Sequence, residues 1–188
     1  GRLAPKVGNK IQAFPSKNWF KEFKIAKSIG ISLMEWTIDQ NKLYKNPLLT
    51  ETGRKKIQSL SKKFNIRIES LTGDCFMQSP FWKFKKYKRL KLQNDFLNII
   101  QASSQVGIKK IIVPLVDNGS LQNSSQQKII IKFMKNITKI LKKNKQMVLF
   151  ELDMGPKKTN NFISKFNSKY FGINYDIGNS ASFGFDPK

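Results

Sequence analysis

Short apolar runs of strand type alternate with amphipathic segments of helical type along this 188-residue chain. Five such runs start near residues 31, 66, 110, 146 and 171, and each follows a predicted helix. Because a helix separates every strand from the next, the pattern requires parallel strands joined by right-handed crossovers. Two architectures satisfy this requirement, the doubly wound sheet and the (β/α)8 barrel.

The element boundaries are predicted from apolar spacing and from Gly and Pro positions. A first helix follows Ser16, its predicted cap, runs to about Ser28 and is closed by Gly30. Later helices are expected at residues 50–65, 91–106, 124–144 and 157–166, with a loop at residues 72–77. Strands are expected at residues 31–39, 66–71, 110–117, 146–153 and 171–177. Pro114, inside the third strand, predicts a bulge or an edge position.

Neither nucleotide-binding signature of the doubly wound sheets, G-x-G-x-x-G or G-x-x-x-x-G-K, occurs in the chain. Acidic residues instead fall at the ends of several predicted strands: Glu35, Asp117, Glu151 and Asp176. This placement favours the barrel, whose functional groups lie at the carboxyl ends of its strands. A complete barrel takes about 250 residues, so we expect residues 1–188 to form a single partial TIM-barrel domain.

The most informative strand is the run from Val148 to Asp153. Strand side chains alternate, so Val148, Phe150 and Leu152 share an apolar face suited to packing under a helix. Met147, Leu149, Glu151 and Asp153 share the other face, which turns polar toward one end. We therefore predict that Glu151 points into the barrel near its mouth, the alternative being a solvated carboxylate at a strand end.

The formal net charge is +23, and whether lysine or arginine supplies it bears on whether the chain binds nucleic acid. Of 35 basic residues, four are arginine, which leaves 31 lysines. Nucleic-acid readers rely on arginine for bidentate contacts, so this composition disfavours nucleic acid as a partner. Between residues 128 and 142 the lysines share one predicted helix face, opposite an apolar stripe, and are interpreted as a solvated outer surface.

The chain contains no histidine and one cysteine, Cys75. A Cys/His zinc module and a disulfide framework are therefore excluded within these residues. Cys75 is expected to be a small buried hydrophobe, because no histidine could activate it as a nucleophile. No apolar run reaches the roughly 18 residues of a membrane span, and a reduced cytoplasmic protein is the resulting prediction.

Several motifs, in order, resemble the sugar phosphate isomerase/epimerase family of xylose isomerase-like TIM barrels. They are the opening Gly-Arg-Leu-Ala-Pro, Lys10 to Pro15, Glu35-Trp36, Val113 to Asn118, Glu151-Leu152-Asp153 and Tyr175 to Asn179. The resemblance spans almost the whole chain, from just after the family's first strand to just after its sixth. It implies a (β/α)8 fold of which this chain holds about strands two to six.

The resemblance also implies a metal site. Such enzymes hold a divalent cation by a Glu after strand five, an Asp after strand six, a His and a final Glu. By position, Glu151 matches the first ligand and Asp176 the second, whereas the His and the last Glu have no counterpart in this chain. For Asp176 the alternative is an ordinary Asx-type turn before Gly178.

The implied reaction moves a proton between neighbouring sugar carbons, and its substrate is a sugar or a sugar phosphate. It needs a base, an acid and a cation that stabilises the enediolate oxygens. Glu151 is the predicted catalytic residue, with Mn²⁺, Mg²⁺ or Co²⁺ as cofactor. The predicted substrate-binding residues are Glu35, Asp117, Asn118 and Asn179. Glu35 could instead pair with a lysine, and Asp117-Asn118 could form an ordinary turn. A homo-oligomer is compatible with these features.

Two alternatives remain open at this point. Residues 81–89 interleave aromatic and basic side chains, which could contact single-stranded nucleic acid, cover a phosphorylated sugar, or simply start a helix with the aromatics tucked beneath it. The first alternative for the function of the whole chain is a nucleic-acid-binding barrel that resembles the AP endonucleases, yet those enzymes need several histidines and this chain has none. The other alternative is a catalytically silent barrel fragment.

Overall fold

Five parallel strands in the order β1-β2-β3-β4-β5 form the central sheet. The structure is a computed structural model that describes residues 3–5 and 13–185. The strands are β1 Leu33–Thr37, β2 Arg67–Thr72, β3 Lys110–Leu115, β4 Met147–Leu152 and β5 Phe171–Ile173. Each strand pairs with the one that precedes it in the chain, which is the winding of a barrel and not of a doubly wound sheet. Residues 1–2 and 10–12, which belong to the motifs that carry the family resemblance, lie outside the described residues. Residues 186–188 also lie outside them.

Helices connect the strands and cover one face of the sheet. They are α1 Trp19–Ser28, α2 Glu51–Phe64, α3 Asp74–Gln78, α4 Lys86–Gln105, α5 Ser124–Asn144, α6 Pro156–Ser164 and α7 Ile177–Ser182. Short 3₁₀ turns occupy Leu43–Lys45, Pro47–Leu49, Phe81–Lys83 and Asp117–Gly119. Among the described residues, none of these helices is both long and apolar enough to cross a membrane.

The core lies between the sheet and its helices. Phe150 of β4 is fully buried, and its ring stacks on Phe166 at 5.2 Å and meets Phe162 edge-on at 5.2 Å. On α5 the predicted apolar stripe is buried in full: Ile130, Phe133, Met134, Ile137 and Leu141. The lysines at positions 128, 132, 135, 139 and 142 are all exposed, as the outer-face interpretation predicts.

Four predicted boundaries are wrong. Ser16 does not cap α1, because the helix begins only at Trp19 and Asn18 occupies the N-cap position. Ser16 lies in the preceding turn, where its N–H donates to the Phe14 carbonyl. Residues 72–77, predicted as a loop, contain most of α3. The last strand ends at Ile173, well before Ile177, because the chain turns there into α7. In addition, α4 begins at Lys86, five residues earlier than predicted.

Pro114 lies in the middle strand of the sheet, so the prediction of a bulge or an edge position is wrong. Pairing between β3 and β4 continues through Pro114, which lies opposite Glu151. Pairing between β3 and β2 ends at Ile112, whose carbonyl accepts from the N–H of Gly73 at 3.0 Å. Alternate residues direct their backbone groups to the same side. The backbone N–H that Pro114 lacks would therefore point toward β2, and the pairing between β2 and β3 has already ended at Ile112.

Candidate active site

The side chain of Glu151 extends from β4 on the face opposite the helices. Val148 and Phe150 are buried on the helix side, and alternation places Glu151 on the concave face that a closed barrel would enclose. Glu151 itself is half-buried. It lies one residue before the end of β4, at the carboxyl edge of the sheet, where (β/α)8 enzymes hold their reactive groups.

Two amide groups orient the Glu151 carboxylate. The Nδ2 of Asn179 donates to Oε1 at 2.8 Å, and the Nδ2 of Asn174 donates a longer bond to Oε2 at 3.4 Å. Asn174 comes directly after β5, and its own N–H donates to the Phe150 carbonyl at 2.9 Å, which extends the pairing with β4. The two donors therefore come from the end of β5 and from α7, and both converge on the end of β4.

Asp176 is the N-cap of α7. Its Oδ1 accepts from the N–H of Asn179 at 2.9 Å, so the Asx-type turn considered as the alternative does form. Its negative charge also acts on Glu151. Asp176 thus both caps α7 and lies near Glu151, because the first turn of α7 carries Asn179 to the Glu151 carboxylate.

The pKa of Glu151 is raised above its usual value. Burial is the largest cause, and the negative charge of Asp176 is the second. The hydrogen bonds from Asn174 and Asn179 act in the opposite direction, and the charge of Glu35 raises the pKa a little further. Glu35, Glu151 and Asp176 are called the carboxylate cluster below. Within the described residues no lysine or arginine forms an ion pair with any of the three.

Glu35 is held by hydroxyl groups of the neighbouring strand. Ser70 Oγ donates to Oε1 and Thr72 Oγ1 donates to Oε2, each at 2.6 Å. A register shift after Met34 makes this possible, because it places Glu35 opposite Ser70 and not opposite the carboxylate of Glu69. The suggested lysine partner is therefore replaced by two hydroxyls, and both Glu35 oxygens face the concave side.

Asp117 and Asn118 form a 3₁₀ turn after β3. The Nδ2 of Asn118 donates to the Met77 carbonyl at 2.8 Å and more weakly to that of Gln78 at 3.4 Å. This side chain ties the turn to α3, as an ordinary structural turn would. Among the hydrogen bonds of the described residues, neither side chain reaches Glu151, so the structure brings together Glu35, Glu151, Asp176 and Asn179 but not these two.

Sequence reasoning missed three polar residues of the site, Asn174, Ser70 and Thr72. Asn174 carries a signal in the sequence, since it directly follows the apolar start of the predicted last strand, whose neighbour carries Glu151 near its end. Ser70 and Thr72 share a strand face by alternation, and only the register with β1 shows that they meet Glu35.

Two other sequence features prove structural. Phe81 and Trp82 are buried, and the Trp82 Nε1 donates to the Gly119 carbonyl at 3.0 Å, which matches the interpretation of residues 81–89 as a helix start with its aromatics tucked beneath. Tyr87 of the same segment is not tucked beneath the helix, since it is 79% exposed. Cys75 is buried, and burial raises its pKa well above the usual range, as expected of a hydrophobe and not of a nucleophile.

The carboxylate cluster suits a hard divalent cation in part. Glu151 on β4 and Asp176 at the N-cap of α7 both offer oxygen ligands. Their negative charges repel each other and have no cationic partner among the described residues, and a bound cation would relieve this repulsion. Among the described residues no group of three or more His, Cys, Asp or Glu side chains could hold a metal ion. The two carboxylates would therefore leave the remaining coordination positions to water or other groups.

Neither a sequence-family profile nor a curated protein matches this chain. Solved structures do match. A xylose isomerase-like TIM barrel protein from Mycobacterium smegmatis in complex with magnesium has a TM-score of 0.65 at 13% identity, over 88% of this chain and 58% of that one. A 3-keto-D-glucoside 4-epimerase from E. coli gives 0.67 at 17% identity, over 90% and 67%.

D-Psicose 3-epimerase from Clostridium cellulolyticum H10 gives a TM-score of 0.72 at 7% identity, over 91% of this chain and 61% of that one. The chain thus has the fold of the xylose isomerase-like TIM barrels, and it spans about three fifths of the length of the M. smegmatis and C. cellulolyticum structures. The predicted incomplete (β/α)8 barrel is confirmed.

Proposed function

We propose that this chain belongs to a divalent-metal-dependent sugar isomerase or epimerase in which Glu151 moves the proton. The observation that carries the proposal is the setting of Glu151. Its carboxylate is half-buried at the carboxyl edge of a parallel sheet, oriented by two amides and repelled by two other carboxylates. A structural carboxylate would be expected to have a cationic partner or full solvation instead.

Glu151 and Asp176 would hold the cation, with Mg²⁺, Mn²⁺ or Co²⁺ as candidates because all donor atoms are carboxylate oxygens. When bound, such a cation would polarise the substrate's carbonyl and hydroxyl oxygens and so stabilise negative charge that develops on them. Asp176 can contribute while it caps α7, since a carboxylate has more acceptor sites than the single Asn179 N–H uses.

Glu151 acts as the general base in this proposal. It accepts the proton from the carbon that carries a hydroxyl group and lies next to the carbonyl, which leaves an enediolate. Return of that proton to the adjacent carbon, together with transfer of the hydroxyl proton from one enediolate oxygen to the other, gives the isomer. Inversion at the original carbon instead needs a second acid on the opposite side. Burial and the charge of Asp176 raise the pKa of Glu151, which strengthens it as a base nearer to neutral pH.

The neighbouring residues bind and orient. Asn179 fixes Oε1 of Glu151, which leaves Oε2, held only by the longer bond from Asn174, to accept the substrate proton. Glu35, with each oxygen already accepting one hydroxyl, has lone pairs left for a sugar hydroxyl. Asn118 is less suited to this role than predicted, because its amide is engaged by the backbone.

Similarity to solved structures supports the reaction class. Two of the structures described above are sugar epimerases by name, and the M. smegmatis protein was solved with magnesium. At 7–17% identity this likeness concerns the fold, so the site residues carry the rest of the proposal. The endonuclease-like alternative has no comparable support, since the chain lacks histidine and the lysines of α5 lie on an outer helix face.

Solvent exchange tests the proposal directly. A panel of ketoses, free and phosphorylated, is incubated with the protein and Mn²⁺ in D₂O, and carbon-bound deuterium is measured by NMR. Deuterium should enter at the carbon next to the carbonyl, and Glu151→Gln should abolish this while Glu51→Gln, an exposed glutamate paired with Lys55, should not. Exchange that persists undiminished in the Glu151→Gln protein would exclude Glu151 as the base.

A further inference from the structure

A second concave site begins two residues beyond Glu151, at Asp153. A pocket of about 470 Å³ opens between the loop that leads from β3 into α5 and the loop that leads from β4 into α6. Both loops leave the carboxyl edge of the sheet, so the pocket belongs to the same face of the molecule as the carboxylate cluster. Its size falls within the range of small-molecule sites.

The pocket is within reach of a ligand bound at Glu151. Asp153 lines the pocket and follows Glu151 by two residues, which corresponds to about 7 Å of extended chain. A sugar whose reacting carbon faces Glu151 could therefore extend a substituent into the pocket.

The lining is polar but close to electrically neutral. It includes the amides of Asn123, Gln127 and Asn161, together with one lysine, Lys158, and one carboxylate, Asp153. Amides and hydroxyls that can both donate and accept suit sugar hydroxyl groups. Phe185 supplies an apolar wall, and its ring lies so close to Gly155 that a Cβ there would meet Cε1 at 3.2 Å.

Two of the groups that would recognise a phosphate are already engaged, the N-terminus of α5 and Lys165. Asn123 caps α5 by accepting from the N–H of Gln126 at 3.0 Å, so a side-chain oxygen occupies the place that an anion would take at this helix end. The Nζ of Lys165 donates to Oε1 of Gln127 at 2.7 Å. The remaining cation, Lys158, shares the pocket with Asp153, whose charge opposes an anion.

We infer that this pocket binds an uncharged polyhydroxy group, the distal sugar or polyol portion of a glycoside, and not a phosphate. That the proximal sugar reacts at Glu151 rests on the proposed function, whereas binding in the pocket does not. The substrate would accordingly be a neutral glycoside-like sugar longer than a single ring.

NMR titration of the full chain without metal tests this inference. Methyl β-D-glucoside and cellobiose are added to the ¹⁵N-labelled protein, in parallel with inorganic phosphate. The two neutral sugars should shift the backbone amide signals of residues 120–127 and 153–161, with cellobiose binding more tightly, and phosphate should leave them in place. Asn161→Ala should weaken cellobiose binding by about fivefold, the equivalent of one hydrogen bond. Asn136→Ala, exposed on α5, is the matched control.

The outcomes separate the two proposals. Shifts that persist in the Glu151→Gln protein support the pocket even if the proposed reaction fails. Phosphate-induced shifts that Lys158→Gln removes would overturn the assignment to a neutral ligand. An absence of shifts with either sugar at tens of millimolar would overturn the site itself.

Discussion

The Nδ2 of Asn179 lies 2.8 Å from Oε1 of Glu151 and so joins the first turn of α7 to the end of β4. The same residue donates its backbone N–H to Asp176. A single asparagine therefore fixes both carboxylates of the proposed metal site, although they belong to different βα units. The bond to Glu151 comes from the Asn179 side chain and the bond to Asp176 from its backbone. Substitution of Asn179 therefore removes the first bond and leaves the backbone donor of the second in place.

Loss of the Asn179 side chain should raise the pKa of Glu151 further. The hydrogen bond stabilises the charged carboxylate, so Asn179→Ala removes an effect that now lowers the pKa. Side-chain ¹³C NMR titration of Glu151 measures the change, and Asn136→Ala provides a control on an exposed helix face. An unchanged titration would show that the bond does not persist in solution.

Glu151→Gln should stabilise the folded chain at neutral pH. The pKa of Glu151 is higher in the folded than in the unfolded state, so its ionisation costs free energy of folding as the pH rises through the folded pKa. Below the unfolded pKa both states are protonated, and the gain from Gln should disappear. Urea unfolding at about pH 3 and about pH 7 gives the two differences, because the lower pH lies well below the ordinary glutamate pKa of about 4.3. Glu51→Gln should show the opposite sign, since the hydrogen bond to Lys55 lowers the pKa of Glu51.

Asp176→Asn separates capping from cation binding. Asparagine caps helices about as well as aspartate, so α7 should persist in the variant. The lost negative charge should weaken Mn²⁺ binding by roughly tenfold, or about 1.4 kcal/mol. Electron paramagnetic resonance of free Mn²⁺ measures the affinity, with Glu69→Gln as a control because Glu69 pairs with Arg67. Equal affinity for both variants would remove Asp176 from the proposed site.

Phe150→Ala should destabilise the chain by about 3–5 kcal/mol. The ring is fully buried among Phe162, Phe166 and Phe171, and truncation leaves a cavity directly behind the strand that carries Glu151. Thermal and urea unfolding measure the loss. Phe20→Ala, at a ring that is 41% exposed, should cost far less.

The parts of the structure that depend on local pattern could be predicted from the sequence. The apolar stripe of α5, the parallel order of the strands and the inward direction of Glu151 all follow from periodicity. The hydroxyl partners of Glu35 could not be predicted, because they depend on a register shift between Met34 and Glu35. No glycine lies at that point of the sequence to indicate an irregularity in the strand. The end of β5 was missed because Tyr175 and Ile177 look strand-like, although the cap at Asp176 ends the extended chain.

Every strand of the sheet lies beside the strand that precedes it in the sequence, and this order has a consequence for how the chain is made. As the polypeptide leaves the ribosome, each new βα unit finds its pairing partner already synthesised. Its pairing closes a loop of only one or two helices, so the entropy cost of each addition stays small. The Glu151 carboxylate acquires its Asn174 and Asn179 donors only when β5 and α7 have emerged. The site is therefore the last described part of the chain to be assembled.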